Sequence, residues 1–119
     1  MKKFLTAIAL SALTAGAAVA GNINIVEQFG FGNASGVGQS GNLNLSYTGQ
    51  GGVANGSLTL QSGEANGSAT IQIGEFNESI TRQNGALNGS STTQLGGNGH
   101  FSDTSQSGLG NVSISVQTD

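Results

Sequence analysis

The sequence predicts an all-β fold, a two-sheet β-solenoid (β-helix) of strand–turn–strand rungs, with about 22 residues per rung built from two 11-residue repeats. Three observations predict it. A Gln recurs at a fixed interval along most of the chain, a Gly follows each Gln at a fixed distance, and the residues between alternate in polarity. The stretch from Gln61 to Gln72, QSGEANGSATIQ, shows one complete copy.

Five positions of the repeat are occupied almost uniformly. The Gln position holds Gln28, Gln39, Gln50, Gln61, Gln72, Gln83, Gln94, Gln106 and Gln117. The Asn position holds Asn22, Asn33, Asn44, Asn55, Asn66, Asn77, Asn88 and Asn111. The Gly position holds Gly30, Gly41, Gly52, Gly63, Gly74, Gly85, Gly96 and Gly108. A Ser position and then a Thr position follow Asn, with Thr48, Thr59, Thr70, Thr81 and Thr92 in the latter.

Each copy divides into a strand segment and a bending segment. Ser57-Leu58-Thr59-Leu60 alternates in polarity and includes a β-branched residue, as half-buried strands do. A Gly at a fixed place predicts a positive φ, which other residues resist. We therefore expect strands of five to seven residues joined by turns of four.

Stacked rungs place like residues over like. Rungs of a β-solenoid lie about 4.8 Å apart, so Gln stacks on Gln and Asn on Asn. Such amide columns hydrogen-bond along the stacking axis, as in cross-β assemblies, and each bond contributes about 1 kcal/mol net. The Gln, Asn and Gly residues above are therefore the candidate ladder, assembly and turn residues.

The two faces of each strand differ in character. One face carries the uniform Asn, Ser, Thr and Gln positions, and the other varies, with residues such as Leu58, Ile71, Glu78 and Arg82. Hydrophobicity alone would bury the varied face. A tightly packed interior tolerates little variation in size, however, and Glu78 and Arg82 would be costly inside. We therefore expect the uniform polar face to be interior, and the exposed aliphatic residues to be sheet-to-sheet contacts between fibrils.

One copy is irregular, because the step from Gln94 to Gln106 is one residue longer than the others. Counting back from Gln106 puts His100 in the Asn position, so the extra residue is expected in a turn, where added length costs little. Asp103 then falls on the varied face, where a charge slows self-association.

The composition excludes several classes of protein. The 119 residues include no Cys and no Pro, 21 Gly, 8% charged residues and 5% aromatic residues. Disulfides and thiolate metal sites are therefore excluded, and large apolar side chains are too few for an ordinary core. The strict register argues against disorder, which such a composition otherwise favours.

Residues 1–20 have the form of a secretory signal peptide. Lys2 and Lys3 precede a short apolar run, and Ala18-Val19-Ala20 is a small-x-small cleavage site. Residues 21–119 are then a single repeat domain, with Arg82 as its only basic residue. This charge balance excludes nucleic acid as a partner.

The Gln-x-Gly-x-x-Asn pattern, with a further Gln six residues on, resembles the curlin repeat of curli, the extracellular amyloid of Gram-negative biofilms. Gln28-Phe29-Gly30-Phe31-Gly32-Asn33-Ala34 is especially close to it. The resemblance covers Asn22 to Gln117. It implies that the Gln and Asn residues form internal ladders, and that the chain is exported through the periplasm to a cell-surface fibre.

The chain departs from that family in two ways. The family usually has Ala and then an aliphatic residue where this chain has Ser and Thr. The repeats also begin almost at Gly21, without the glycine-rich segment that addresses major curli subunits to an outer-membrane secretion pore. The resemblance implies self-assembly, a nucleator subunit and that secretion machinery as partners, and leaves open whether the chain is a major subunit or a nucleator.

Other motifs are better explained by structure. Asn55-Gly56-Ser57 and its copies match a glycosylation acceptor, but they recur with the repeat. Calcium-binding β-roll repeats need a recurring Asp that is missing here. Glu75 and Glu78 have no partner base, and His100 has no clustered ligands. We expect no catalytic residues, cofactor or metal, and hence no enzyme.

The sequence supports three functions of different classes. The first is a secreted structural subunit that self-assembles end to end into extracellular amyloid for adhesion and biofilm matrix. The second is a monomeric solenoid that binds a surface such as ice through its Thr row. The third is a minor subunit that nucleates a different fibre.

Overall fold

The computed structural model describes residues 21–97 and 99–119, which form nine β-strands. The predicted signal peptide lies outside the described residues. The strands are β1 (Ile23–Phe31), β2 (Ala34–Asn42), β3 (Leu45–Val53), β4 (Gly56–Glu64), β5 (Gly67–Glu75), β6 (Glu78–Ala86), β7 (Gly89–Gly96), β8 (Phe101–Leu109) and β9 (Val112–Thr118).

The strands alternate between two parallel sheets, in the order β1-β3-β5-β7-β9 and β2-β4-β6-β8. Each strand pairs in register with the strand two places later, so that Gln28 lies beside Gln50 and Gln39 beside Gln61. The predicted two-sheet β-solenoid with about 22 residues per turn is therefore confirmed.

The extra residue of the irregular copy lies between β7 and β8. Beyond it Gln83 pairs with Gln106 and Gln94 with Gln117, so the ladder register is restored. Placing the insertion in a turn was correct.

The predicted lengths of strand and turn were wrong. Seven of the nine strands have nine residues, and most connections are only two residues long. The Gly position, which we expected in the turn, keeps its ladder pairing inside the strand, as Gly52 does with Gly74. The reversal falls at the second and third residues after this Gly, directly before and at the Asn position.

Glycine is required at its repeated position for two reasons. Gly52 has a φ of 116°, which side chains disfavour, and a Cβ there would overlap the carbonyl oxygen of Gly74 in the next rung. The positive φ predicted for this position is confirmed. A second position with positive φ lies directly before Asn and was not foreseen. Five residues other than glycine adopt this φ there, namely Leu43, Ala54, Ala65, Phe76 and Leu87.

The interior is polar. Among the described residues no hydrophobic side chain is buried, whereas Asn44, Thr48 and Gln72 are each 0% exposed. The expectation that the uniform polar face is interior is confirmed.

Candidate assembly interface

The glutamines form two continuous amide columns, one behind each sheet. The Nε2 of each Gln donates to the Oε1 of the Gln in the next rung at 2.6–2.8 Å. One column runs through Gln28, Gln50, Gln72, Gln94 and Gln117. The other runs through Gln39, Gln61, Gln83 and Gln106. All nine predicted ladder glutamines thus lie in these columns.

Every ladder glutamine except Gln28 also ties the two sheets together. Gln50 Nε2 donates a second hydrogen bond to the carbonyl of Ala34, at 3.0 Å, and Gln72 does the same to Gly56, at 2.9 Å. Ala34 and Gly56 begin the strands of the opposite sheet. The amide therefore satisfies both of its donors without water, so a fully buried Gln is stable here.

The asparagines form columns at the two corners of the rung. The backbone N–H of Asn66 donates to Asn44 Oδ1 at 3.1 Å, and its Nδ2 donates to the same oxygen at 3.0 Å. Asn66 Nδ2 also lies 3.2 Å from the carbonyl of Ser62, four residues earlier, so the side chain closes the turn. The predicted Asn22, Asn33, Asn44, Asn55, Asn66, Asn77, Asn88 and Asn111 occupy these corners.

The Gln and Asn columns have opposite direction. Each Gln donates to the rung that follows it in sequence, as Gln72 does to Gln94. Each Asn donates to the rung that precedes it, as Asn66 does to Asn44. The two ends of the stack therefore expose different groups.

We call the free edges of β1 and β2 the N-terminal edge, and those of β8 and β9 the C-terminal edge. No other described strand pairs with either edge. Nothing among the described residues donates to Gln28 Oε1 or Gln39 Oε1. At the other end, Gln106 and Gln117 each bond a carbonyl through Nε2 and have no following Gln. In the glutamine columns, one edge thus presents amide acceptors and the other amide donors.

His100 takes an Asn position at the C-terminal edge. Its backbone N–H donates to Asn77 Oδ1 at 3.1 Å, which continues the column by one step. Its ring Nε2 lies 2.8 Å from Asp119 Oδ1, and the N–H of Gly97 donates to Asp119 Oδ2 at 3.3 Å. Because the side chain is an imidazole, this column presents no amide oxygen to a further rung.

The interior hydroxyls are poorly satisfied. Eleven buried Ser and Thr oxygens have no hydrogen-bond partner among the described residues, Thr59 and Thr70 among them. By contrast, the Ser102 hydroxyl donates a hydrogen bond to the Ser115 hydroxyl oxygen at 3.3 Å. Burying a hydroxyl without a partner is unfavourable, so the hydrogen bonds of the Gln and Asn columns offset this cost in the interior.

The Thr row predicted for surface binding is buried. Thr48, Thr59, Thr70, Thr81 and Thr92 are at most 1% exposed. These side chains point between the sheets, so no ice lattice or other surface can contact them. The surface-binding hypothesis, in the form that relied on this row, is wrong.

The two outer faces differ in polarity. The outer face of the five-stranded sheet carries Ile25, Phe29 and Ile73, which are 45%, 74% and 55% exposed. The outer face of the four-stranded sheet carries the Arg82–Asp103 ion pair, with 2.8 Å between Nη1 and Oδ1. Both members of the pair are well exposed, so it contributes little stability.

Tyr47, the single tyrosine of the chain, lies on the outer face of the five-stranded sheet. The Tyr47 hydroxyl donates to Glu27 Oε2 at 3.2 Å. This hydrogen bond, followed by the negative charge of Glu27 and by desolvation, raises the pKa of Tyr47 above its ordinary value. The tyrosine therefore ionises less readily while β1 and β3 remain paired.

Residues 21–97 and 99–119 contain no group of three His, Cys, Asp or Glu side chains that could hold a metal ion. Glu75 and Glu78 are both exposed. Within the same residues no helix is long and apolar enough to cross a membrane.

The fold defines the class of this protein as a two-sheet parallel β-solenoid with internal amide ladders. Comparison with known proteins adds no relative, since no family model, no curated protein and no solved structure matches the chain.

Proposed function

We propose that this chain is a secreted structural subunit that self-assembles end to end into extracellular, curli-like amyloid fibres for adhesion and biofilm matrix. The observation that carries the proposal is the complementarity of the two edges. The C-terminal edge presents the amide donors of Gln106 and Gln117, and the N-terminal edge presents the acceptors of Gln28 and Gln39. Unpaired edges of this kind are templates for further strands.

The burial pattern supports the same function. The interior needs no apolar core, so each added rung contributes the same set of registered hydrogen bonds as the one before it. The resemblance of the repeat to curlin agrees with this reading, and it also supplies the proposed secretion machinery and nucleator as partners.

The proposal is tested by following the purified chain during incubation. We expect progressive pelleting, thioflavin fluorescence, and fibre-diffraction reflections at about 4.7 Å and about 10 Å. Replacing Gln28 and Gln117 with Ala should lengthen the lag, because each removes a ladder group from one edge. Ser105→Ala, a change on the outer face of β8, is the matched control. A chain that stays a soluble monomer would refute the proposal.

One observation favours the alternative of a minor, nucleating subunit. His100 leaves one corner column without an amide oxygen at the C-terminal edge, whereas both columns have their asparagine at the N-terminal edge. A chain with one weaker edge suits a role in starting a fibre of another subunit. Seeding of a second curlin-like polymer by sub-stoichiometric amounts of this chain would support that role.

A further inference from the structure

The two sheets have unequal numbers of strands, and this constrains how copies stack. The five-stranded sheet begins with β1 and ends with β9, whereas the four-stranded sheet begins with β2 and ends with β8. The described chain therefore spans four and a half rungs. Its first and last strands lie in the same sheet.

Successive strands of the chain always alternate between the sheets. After β9, the next vacant position in the stack is therefore beside β8, in the four-stranded sheet. The position after that is beside β9. A second copy that continues the solenoid must place its own β1 beside β8 and its own β2 beside β9.

We propose that copies of this chain stack with a half turn about the fibre axis, so that the five-stranded sheet of one copy continues into the four-stranded sheet of the next. The inference rests on the proposed function and adds the geometry of the joint. It makes the partner at the C-terminal edge the β1–β2 rung of a second copy.

The alternative without rotation places the second copy's β1 beside β9. The position beside β8 then stays empty, because the second copy's β2 lies one rung further on. The edge N–H and C=O groups of β8 would remain without partners at that gap, beside the interior amide of Gln106. Burying such groups without partners is unfavourable, so the half-turn joint is favoured.

The half-turn joint also satisfies the amide columns. Gln106 Nε2 then faces Gln28 Oε1 of the second copy, and Gln117 Nε2 faces Gln39 Oε1 of the second copy. Both pairs repeat the geometry seen inside the chain, where Gln83 donates to Gln106 at 2.8 Å. Asn111 Oδ1 in turn faces the backbone N–H of Asn33 in the second copy. Only the corner column that ends at His100 offers the second copy no amide oxygen.

Disulfide trapping separates the two joints, because the chain has no cysteine of its own. Glu27, Ser105 and Val116 all occupy the repeat position directly before Gln, and all three are exposed. With a half turn, Glu27 of the second copy lies beside Ser105. Without rotation, it lies beside Val116. Neighbouring in-register residues meet the Cα separation that a disulfide needs, and residues on opposite outer faces do not.

The experiment compares two double variants of the full chain, Glu27→Cys with Ser105→Cys and Glu27→Cys with Val116→Cys. Each is incubated to form fibres, oxidised, and dissolved in denaturant without reductant. We expect the Ser105 pair to give about tenfold more disulfide-linked multimers than the Val116 pair. Thr93→Cys with Val116→Cys, which joins paired positions of β7 and β9, is the control for oxidation within one chain.

The outcomes distinguish this inference from the proposed function. Multimers from the Val116 pair, or fibres in which neither pair crosslinks, would overturn the half-turn joint and leave fibre formation standing. If neither variant nor the unmodified chain forms fibres, the proposed function falls and the joint falls with it.

Discussion

Gln72 Nε2 donates to Gln94 Oε1 at 2.7 Å, although 22 residues of sequence separate the two glutamines. The same nitrogen bonds the carbonyl of Gly56 in the opposite sheet at 2.9 Å, and Gln72 Oε1 accepts from Gln50 at 2.7 Å. One side chain thus joins three rungs of one sheet and one strand of the other.

Gln72→Ala should therefore destabilise the monomer strongly. It removes one hydrogen-bond partner from the Gly56 carbonyl, one from the Gln50 amide and one from the Gln94 amide, and we expect a loss of roughly 3 kcal/mol in the free energy of unfolding. Urea denaturation at concentrations below those that give fibres measures it. Ile73→Ala, at a neighbouring side chain that is 55% exposed, is the matched control and should cost less. Equal losses would show that the ladder contributes nothing beyond its packing.

Thr59→Val should stabilise the protein. The Thr59 hydroxyl is buried without a hydrogen-bond partner among the described residues, and valine has nearly the same shape. The chain itself has Val37 at the paired position of β2. We expect a gain of about 1 kcal/mol, measured as a higher midpoint in urea. Thr118→Val, at an exposed position, should change little, and a destabilised Thr59→Val would indicate that the hydroxyl has an unseen partner.

Gly63→Ala and Gly67→Ala should behave oppositely although both lie in strands. Gly63 has a φ of 114°, and a Cβ there would overlap the Gly85 carbonyl, so we expect a loss of roughly 3 kcal/mol or more. A Cβ at Gly67 meets no atom within 4 Å, so that variant should be neutral or slightly more stable. Thermal unfolding followed by circular dichroism compares them. Tolerance of Gly63→Ala would contradict the rung spacing.

Ala65→Gly should stabilise, because Ala65 has a φ of 53° in the connection before Asn66. Glycine relieves this strain but also gives the unfolded chain more conformational freedom, which opposes folding. We expect the free energy of unfolding to rise by about 0.5 kcal/mol net. Ala69→Gly, in the middle of β5, should instead lose about 0.5–1 kcal/mol. The same sign of change for both variants would argue against the left-handed connection.

Glu27→Ala should lower the pKa of Tyr47 toward its ordinary value, because it removes both the hydrogen bond and the charge that raise it. Since the folded pKa is raised, the stabilisation from this contact is complete below the ordinary tyrosine pKa and is lost as pH rises through the folded value. The chain has one Tyr and no Trp, so tyrosinate absorbance reports this group alone. Glu75→Ala is the control, and an unchanged titration after Glu27→Ala would exclude the contact.

The repeat register was sufficient to predict the solenoid, its two sheets and the polar interior. Identical residues eleven positions apart fall in alternate sheets, so those 22 apart can satisfy one another only when rungs stack, and the same register located the insertion near His100. Sequence reasoning missed the left-handed residues before Asn. Leu43, Ala54 and Phe76 are not residues that favour a positive φ, and the bonds of Asn44 and Asn55 to the carbonyls four residues earlier help to hold the backbone of these connections. The reading of the Gly position as turn failed because glycine here serves close packing between rungs inside the strand.

From β3 onward, every described strand pairs with one that ends about a dozen residues before it begins, and no pairing among the described strands spans the length of the chain. The chain therefore needs no distant segment to complete any part of its structure, and its loop-closure cost stays constant as it grows. Such a polypeptide can fold vectorially, each new turn condensing on the last as it leaves a ribosome or a pore.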